Sequence, residues 1–292
     1  MRSKMKQDQS VKIYMDNQQE LKGNIIIIHG MQEDSSRYVD VANYLTKAGY
    51  GVLTFDVLGH GPYAEKLGVI DHEDGFNAIL KQVSSCIDKL KTEYPDARII
   101  IMGHSMGSLI ARAVLMRHQE DISQAILIGT PPPKVETLVG KVLAKMLINF
   151  KGDEAYSSMF ENLVFGKADK KFPDLTWLSK NQDNVKAYKE NDNFGFRFTI
   201  GAYRDLFNLV IDLKNKDHHA TNEQLPIKFY VGSDDPIVEG EKGLQRSIQA
   251  LRKIGFKNIS FMSYPELRHE ILNEDCKYEI LDNMIDYLNH YN

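Results

Sequence analysis

The 292-residue chain predicts an α/β protein, a mostly parallel central sheet flanked by helices and interrupted by a mainly helical insertion. Three observations carry that prediction. Short runs rich in isoleucine, valine and leucine alternate with stretches of helical periodicity up to residue 130 and again after 225. The rhythm breaks between 131 and 224, where no strand run of the same quality occurs. Finally, Gly103-His104-Ser105-Met106-Gly107 stands where an apolar run gives way to helical spacing. The chain therefore divides into a first core part, 1–130, a cap or lid insertion, 131–224, and a second core part, 225–292.

Taken in order, Val11 to Met15 reads as a first strand. Asn24 to Ile28, Gly51 to Phe55, Arg98 to Met102 and Gln124 to Ile128 are each short, apolar and followed by turn residues, as in strands covered on both faces. Between them, Tyr38 to Ala48 places Val41, Tyr44, Leu45 and Ala48 on one helical face. Phe76 to Tyr94 does the same with Ile79, Leu80, Val83, Ile87, Leu90 and Tyr94. Parallel neighbours need a helical crossover to return the chain, which is why the alternation implies helices on both faces. After the break come a strand at Ile227 to Val231, a helix at Gly240 to Ile254, a strand at Asn258 to Met262 and a last helix from Leu272 to Tyr287.

Composition excludes several classes. With 42% hydrophobic and 26% charged residues the chain can bury a sizeable core. A net charge of −4 offers no electrostatic footprint for nucleic acid, so no nucleic-acid partner is expected. The longest apolar runs fall far short of the roughly 20 residues of a membrane span. No apolar segment follows the basic residues of MRSKMKQDQS, and a cytoplasmic location is the expectation. Cys86 and Cys276 both fall in predicted helices far apart in sequence, which points to reduced thiols. Neither composition nor pattern speaks to oligomeric state.

The serine turn carries chemistry. A strand that reverses into a helix within a few residues, with the helix resuming at Ser108, forces Ser105 into an unfavourable backbone region. Glycine on each side removes the Cβ atoms that would meet the neighbouring strand and helix. The hydroxyl is thereby thrust out at the helix N-terminus, where the Met106 N–H and the helix dipole favour developing negative charge. A serine nucleophile needs a histidine base and a carboxylate to orient it. In a doubly wound sheet these groups gather after late strands. Asp235 follows the strand IKFYV, and His269 follows ISFM. Asp234 is the rival acid. Among other histidines, His104 adjoins the nucleophile on a sharp turn and points elsewhere, His60 comes too early, and His218-His219 lacks zinc-ligand spacing. The second oxyanion donor belongs in the loop after the first central strand, where His29-Gly30-Met31 offers the Met31 backbone N–H beside that of Met106.

On HGMQEDSSRY at 29 to 38, FDVLGHG at 55 to 61, GHSMGS at 103 to 108, WLSKNQDNVKAYKENDNFGFRFT at 177 to 199, GSDDPIVEGEKG at 232 to 243 and YPELRHEILNE at 264 to 274, the chain resembles the α/β-hydrolases. Within them it is similar to the monoacylglycerol lipase and lysophospholipase group. The resemblance covers most of the chain from residue 24. It implies that Ser105, Asp235 and His269 form a catalytic triad and that Met31 and Met106 supply the oxyanion hole. The family's usual small residue and serine after the GHG turn are replaced here by GHGPYAEKLG.

The expected function is therefore a serine carboxylic ester hydrolase (EC 3.1.1) acting on monoacylglycerols, lysophospholipids or similar hydrophobic acyl esters, without cofactor or metal. The same triad would also serve a short-chain carboxylesterase or an acyltransferase. A non-catalytic binding protein on this fold could lose any triad member, yet all three are present. In the insertion, Lys134 to Lys151 sets Val135, Leu138, Val139, Val142, Leu143, Met146, Leu147 and Phe150 on one stripe, with Lys141 and Lys145 outside it. That stripe is expected to pack on the sheet and line an acyl pocket; its alternative is transient contact with a membrane or lipid surface. Phe194, Phe196 and Phe198 alternate as in an extended segment, as pocket wall or as core, and Trp177 reads as packing.

Overall fold

The computed structural model describes residues 10–134 and 136–291. Among them the strands form one seven-stranded sheet in the order β1-β3-β2-β4-β5-β6-β7. β1 (Lys12–Tyr14) runs antiparallel to β3 (Tyr50–Thr54). β2 (Gly23–Ile28), β4 (Ile99–His104), β5 (Ile122–Ile128), β6 (Ile227–Gly232) and β7 (Ile259–Tyr264) join β3 in a parallel set.

The pleat sorts the isoleucines of β2 between two cores. Ile26 and Ile28 pack with α2 (Gly75–Glu93), α3 (Met106–Leu115) and α8 (Gly240–Ile254). Ile25 and Ile27 face α1 (Val39–Lys47) and α9 (Lys277–His290). Each such side chain contributes about 1.5–3 kcal/mol by leaving water, which fixes the register. The chain leaves β2 on one side to form β3 and crosses to the other for β4. That reversal opens a crevice at the carboxyl ends of β2 and β4, the place where such sheets bind ligands.

Between β5 and β6 lie α4 (Glu136–Lys151), α5 (Ser158–Lys171), α6 (Gln182–Glu190) and α7 (Ile200–Asp212). The expected packing of the α4 stripe forms only in part: Leu143 and Leu147 are half-buried against the core, while the rest of the described stripe faces away. α4 buries Thr137, Gly140 and Ala144 and rests on α7, where a Cβ on Gly140 would come within 2.8 Å of the Phe207 ring. Small residues allow this close approach, and Leu138, Val139, Val142, Met146 and Phe150 are turned outward. Val135 and residues 1–9, including most of the N-terminal segment discussed above, lie outside the described residues.

Two helix starts differ from the sequence reading by two residues or more. α3 begins at Met106 and not Ser108, because the backbone of Ser105 completes the reversal by itself. The last helix starts at Lys277 after a 3-10 turn at Ile271–Asn273, so Cys276 stands just ahead of a helix and not inside one. Among the described residues, Cys86 and Cys276 are not joined in a disulfide. Phe198 is core, Phe196 packs on His60 and Phe194 stacks on Tyr188, so the three fill space between cap and core. Among the described residues no helix is long and apolar enough to cross a membrane.

Candidate active site

Ser105 closes β4 with φ 51° and ψ −117°, a strained combination for a residue with a Cβ. The strain is held in place from both sides. A Cβ on Gly103 would lie 2.3 Å from the Gly107 carbonyl oxygen, and one on Gly107 2.1 Å from that of Ile28. The Ser105 N–H donates to the Ile128 carbonyl at 2.9 Å. Its own carbonyl accepts from Ser108 Oγ at 2.5 Å.

The three residues predicted to work together converge. Ser105 Oγ is 2.8 Å from His269 Nε2, and His269 Nδ1 is 2.8 Å from Asp235 Oδ2. Asp235 is 1% exposed. Its Oδ1 accepts from the N–H groups of Ile237 at 2.8 Å and Val238 at 3.2 Å, while Pro236, between them, has no N–H to compete. That turn aims Oδ2 at the imidazole, whereas Asp234 only donates its N–H to the Leu267 carbonyl. Gly129, at φ 54°, lets the chain pass His269: a Cβ there would sit 3.1 Å from Nδ1. Trp177, read from sequence as packing, is buried with its ring 5.5 Å from that of His269. Its carbonyl accepts from the His269 N–H at 3.3 Å.

Met31 and Met106 line the same cavity as Ser105. Met106 is the first residue of α3, so its N–H has no acceptor within the helix. At the other loop, the Gly30 N–H is taken by Glu33 Oε1 at 2.5 Å, leaving the Met31 N–H as the next available donor. His29 secures the loop: its Nε2 accepts from the Val57 N–H at 2.8 Å and its Nδ1 donates to the Gly30 carbonyl at 2.7 Å. His60 sits 5.0 Å behind it, and burial pushes its pKa down to about 3. Among the described residues no cluster of histidine, cysteine and acidic side chains could hold a metal.

The cavity beside Ser105 has a volume of about 150 Å³ and apolar walls that include Leu109, Phe165, Leu206 and Phe207. Lys134, Glu136 and Lys167 mark its polar border. A larger cleft, about 790 Å³, runs along residues 56–72 and the flank of α2 and contains none of the three converging residues. Size alone would misplace the site.

Sequence reasoning missed a buried ionic group behind it. Glu33 accepts from Tyr38 Oη at 2.9 Å and from Arg37 Nη1 at 2.7 Å as well as from Gly30. Arg37 grips Glu270 through both nitrogens at 2.5 and 2.6 Å, and Asn184 of α6 bonds both partners. The Arg37 guanidinium also lies over the rings of Tyr188 and Phe194. A glutamate and an arginine four residues apart after the glycine loop, and an acid next to His269, were the available signal.

Fold and site together define an α/β-hydrolase, an ester-hydrolysing and lipolytic serine enzyme. Residues 19–276 match the model of the serine aminopeptidase S33 family (Hydrolase_4), and the chain belongs to that family. It is similar to the monoglyceride lipase of Mus musculus, 26% identical over 268 residues that cover 87% of this chain and 80% of that protein. Phospholipase YtpA of Bacillus subtilis is 23% identical over 86% of this chain and 88% of its own length. In structure, a thermostable carboxyl esterase from Bacillus coagulans superposes with a TM-score of 0.86 at 24% identity, covering 96% of this chain and 93% of that one.

Proposed function

We propose that the chain hydrolyses monoacylglycerols, lysophospholipids or similar hydrophobic acyl esters through an acyl-enzyme on Ser105. The observation that carries this is the Ser105–His269–Asp235 relay, 2.8 Å at each step, opening onto an apolar cavity. Ser105 Oγ attacks the ester carbonyl as its proton passes to His269 Nε2, and Asp235 holds the other ring nitrogen and stabilises the imidazolium. The Met31 and Met106 N–H groups receive the oxyanion. His269 then protonates the departing alcohol, and a water activated by the same nitrogen hydrolyses the acyl-enzyme. The names of the relatives, a monoglyceride lipase and a phospholipase, support a lipid ester as substrate.

Chain length has its own evidence. A cavity of 150 Å³ compares with the space that encloses one benzene, about six carbons. It favours a second reading, a carboxylesterase for short and medium acyl chains. A longer chain would have to leave past Leu163, which both borders the cavity and is exposed, toward the outward apolar face of α4. Contact of that face with a lipid surface is part of the proposal.

The experiment is a series of 4-nitrophenyl esters from acetate to palmitate beside monoacylglycerol, with fluorophosphonate labelling as the control for an active serine. Stoichiometric labelling that vanishes in Ser105→Ala, with rates sustained on monoacylglycerol, is the expected result. Rates that collapse beyond about eight carbons defeat the lipid assignment and leave the esterase. A folded protein that never labels favours a binding module.

A further inference from the structure

His104 adjoins the nucleophile yet has no part in the reaction just proposed. Its ring is buried, with its centroid 4.8 Å from that of His269, but neither nitrogen is bonded to Ser105. Nδ1 lies 3.1 Å from Glu33 Oε1 and Nε2 lies 3.2 Å from the His269 carbonyl oxygen. Both oxygens are acceptors. The peptide carbonyl has no hydrogen, and Glu33 is already receiving N–H and O–H groups from Gly30, Arg37 and Tyr38. A neutral imidazole owns one N–H and one lone pair, so at one of the two ends it would press a lone pair against an oxygen. Only the doubly protonated ring donates at both.

The surrounding charges agree with the geometry. The loop after β2 presents Glu33, Arg37 and Tyr38 to this region, and the loop after β7 presents His269 and Glu270. Two buried carboxylates thus share one guanidinium. A cationic His104 brings their formal sum to zero, which matters where water is absent and an unmatched charge is costly. Burial alone would lower the His104 pKa, but the hydrogen bond and charge of Glu33, with Glu270 behind it, raise it above the ordinary value.

We propose that His104 is a buried imidazolium and a positioning residue, one that braces the His269 backbone against Glu33 and, through Glu33, against the Gly30–Met31 loop. The functional half of this rests on the roles given above to His269 and Met31. Loss of its proton removes one of two charge-assisted hydrogen bonds and leaves the buried group with one surplus negative charge. The base and the oxyanion loop then lose their common support, so reactivity of Ser105 falls on the alkaline side.

Two measurements test it. In protein labelled with 15N-histidine, ring-nitrogen NMR at pH 7 is expected to show a buried histidine with both nitrogens protonated, distinct from exposed His72 beside Asp153, its signals lost in His104→Gln. Should that variant not fold, the ring is identified in the native protein by its through-space contacts with His269. A His104 ring with one lone-pair nitrogen at pH 7 overturns the proposal. The second measurement is the rate of fluorophosphonate labelling against pH, which presumes no natural substrate. In the native enzyme it is expected to drop roughly ten-fold as His104 loses its proton, the effect of one hydrogen bond to a charged group. In His104→Gln the rate is lower and flat over that range. An alkaline fall of unchanged midpoint in the variant defeats the positioning role. A protein that never labels but keeps the doubly protonated ring overturns the reading of Ser105 and upholds the imidazolium.

Discussion

Ser105 illustrates how much a single residue's conformation rests on its neighbours. A side chain at φ 51° costs of order 1–3 kcal/mol, which persists only because β5 and the two glycines leave the backbone no other path. What the strain achieves is exposure of Oγ to His269 without loss of the 2.9 Å bond from the Ser105 N–H to Ile128. The orientation of His269 depends in turn on Asp235. In Asp235→Asn the amide offers an N–H where a carboxylate accepted, so the imidazole is held in the wrong tautomer. We expect kcat to fall by about 10³–10⁴-fold with KM little changed, read from steady-state kinetics on a soluble ester. At this scale the sequence was informative because each of the three residues follows a recognisable strand, and chain order separates them. It could not separate Asp235 from Asp234: the decision lies in the turn that bonds Oδ1 to the Ile237 and Val238 N–H groups.

Among the elements, α4 shows where periodicity stops being sufficient. The 3.6-residue pattern identifies an amphipathic helix correctly but says nothing about which stripe finds the protein. Here the stripe of small residues, Thr137, Gly140 and Ala144, is the part fully buried, Leu143 and Leu147 are half-buried beside it, and Leu138, Val139, Val142, Met146 and Phe150 are left in water. Phe150 is 87% exposed. Each of these side chains forgoes up to about 1.5–3 kcal/mol of burial, which the proposed contact with a lipid surface would recover. Exposed Lys141, Lys145 and Lys151 on the same helix, with Lys170 and Lys171 on α5, suit an anionic lipid surface. The expected outcome is co-sedimentation with vesicles containing phosphatidylglycerol, weakened at least ten-fold in Val139→Glu/Phe150→Glu. Hydrolysis of a short soluble ester should be unaffected by the pair. Equal sedimentation of both proteins would remove the surface from the proposal.

For the whole molecule, the Glu33–Arg37–Glu270 group is the joint between parts that lie far apart in the chain. It ties the loop after β2 to the loop after β7, and through Asn184 it reaches α6 of the insertion. Burial alone would raise the pKa of both carboxylates, but the Arg37 guanidinium, helped by His104, holds Glu33 well below the usual range and Glu270 below it. Their lowered folded values mean that they contribute stability present above about pH 4.3, the unfolded value. That contribution is lost as pH falls through the folded values. Arg37→Met leaves two buried carboxylates unmatched. It should destabilise the fold by roughly 3–5 kcal/mol at neutral pH and move the acid-unfolding midpoint to higher pH, both measurable by circular dichroism. A variant with the native acid midpoint would show that the guanidinium does not govern these carboxylates.

The sequence by itself determined the class of fold, the order of its strands and helices, and the serine and histidine on which the proposed chemistry rests. These follow from local quantities: period, turn residues, and the steric need for glycine beside a strained serine. Only the tertiary structure decided which face of α4 meets the protein, which of two adjacent aspartates turns to the histidine, and that Glu33, Arg37, His104 and Glu270 form one charge group. Those outcomes depend on contacts between residues up to 233 positions apart, Arg37 to Glu270. No pattern confined to a few turns of helix or a single strand can encode them.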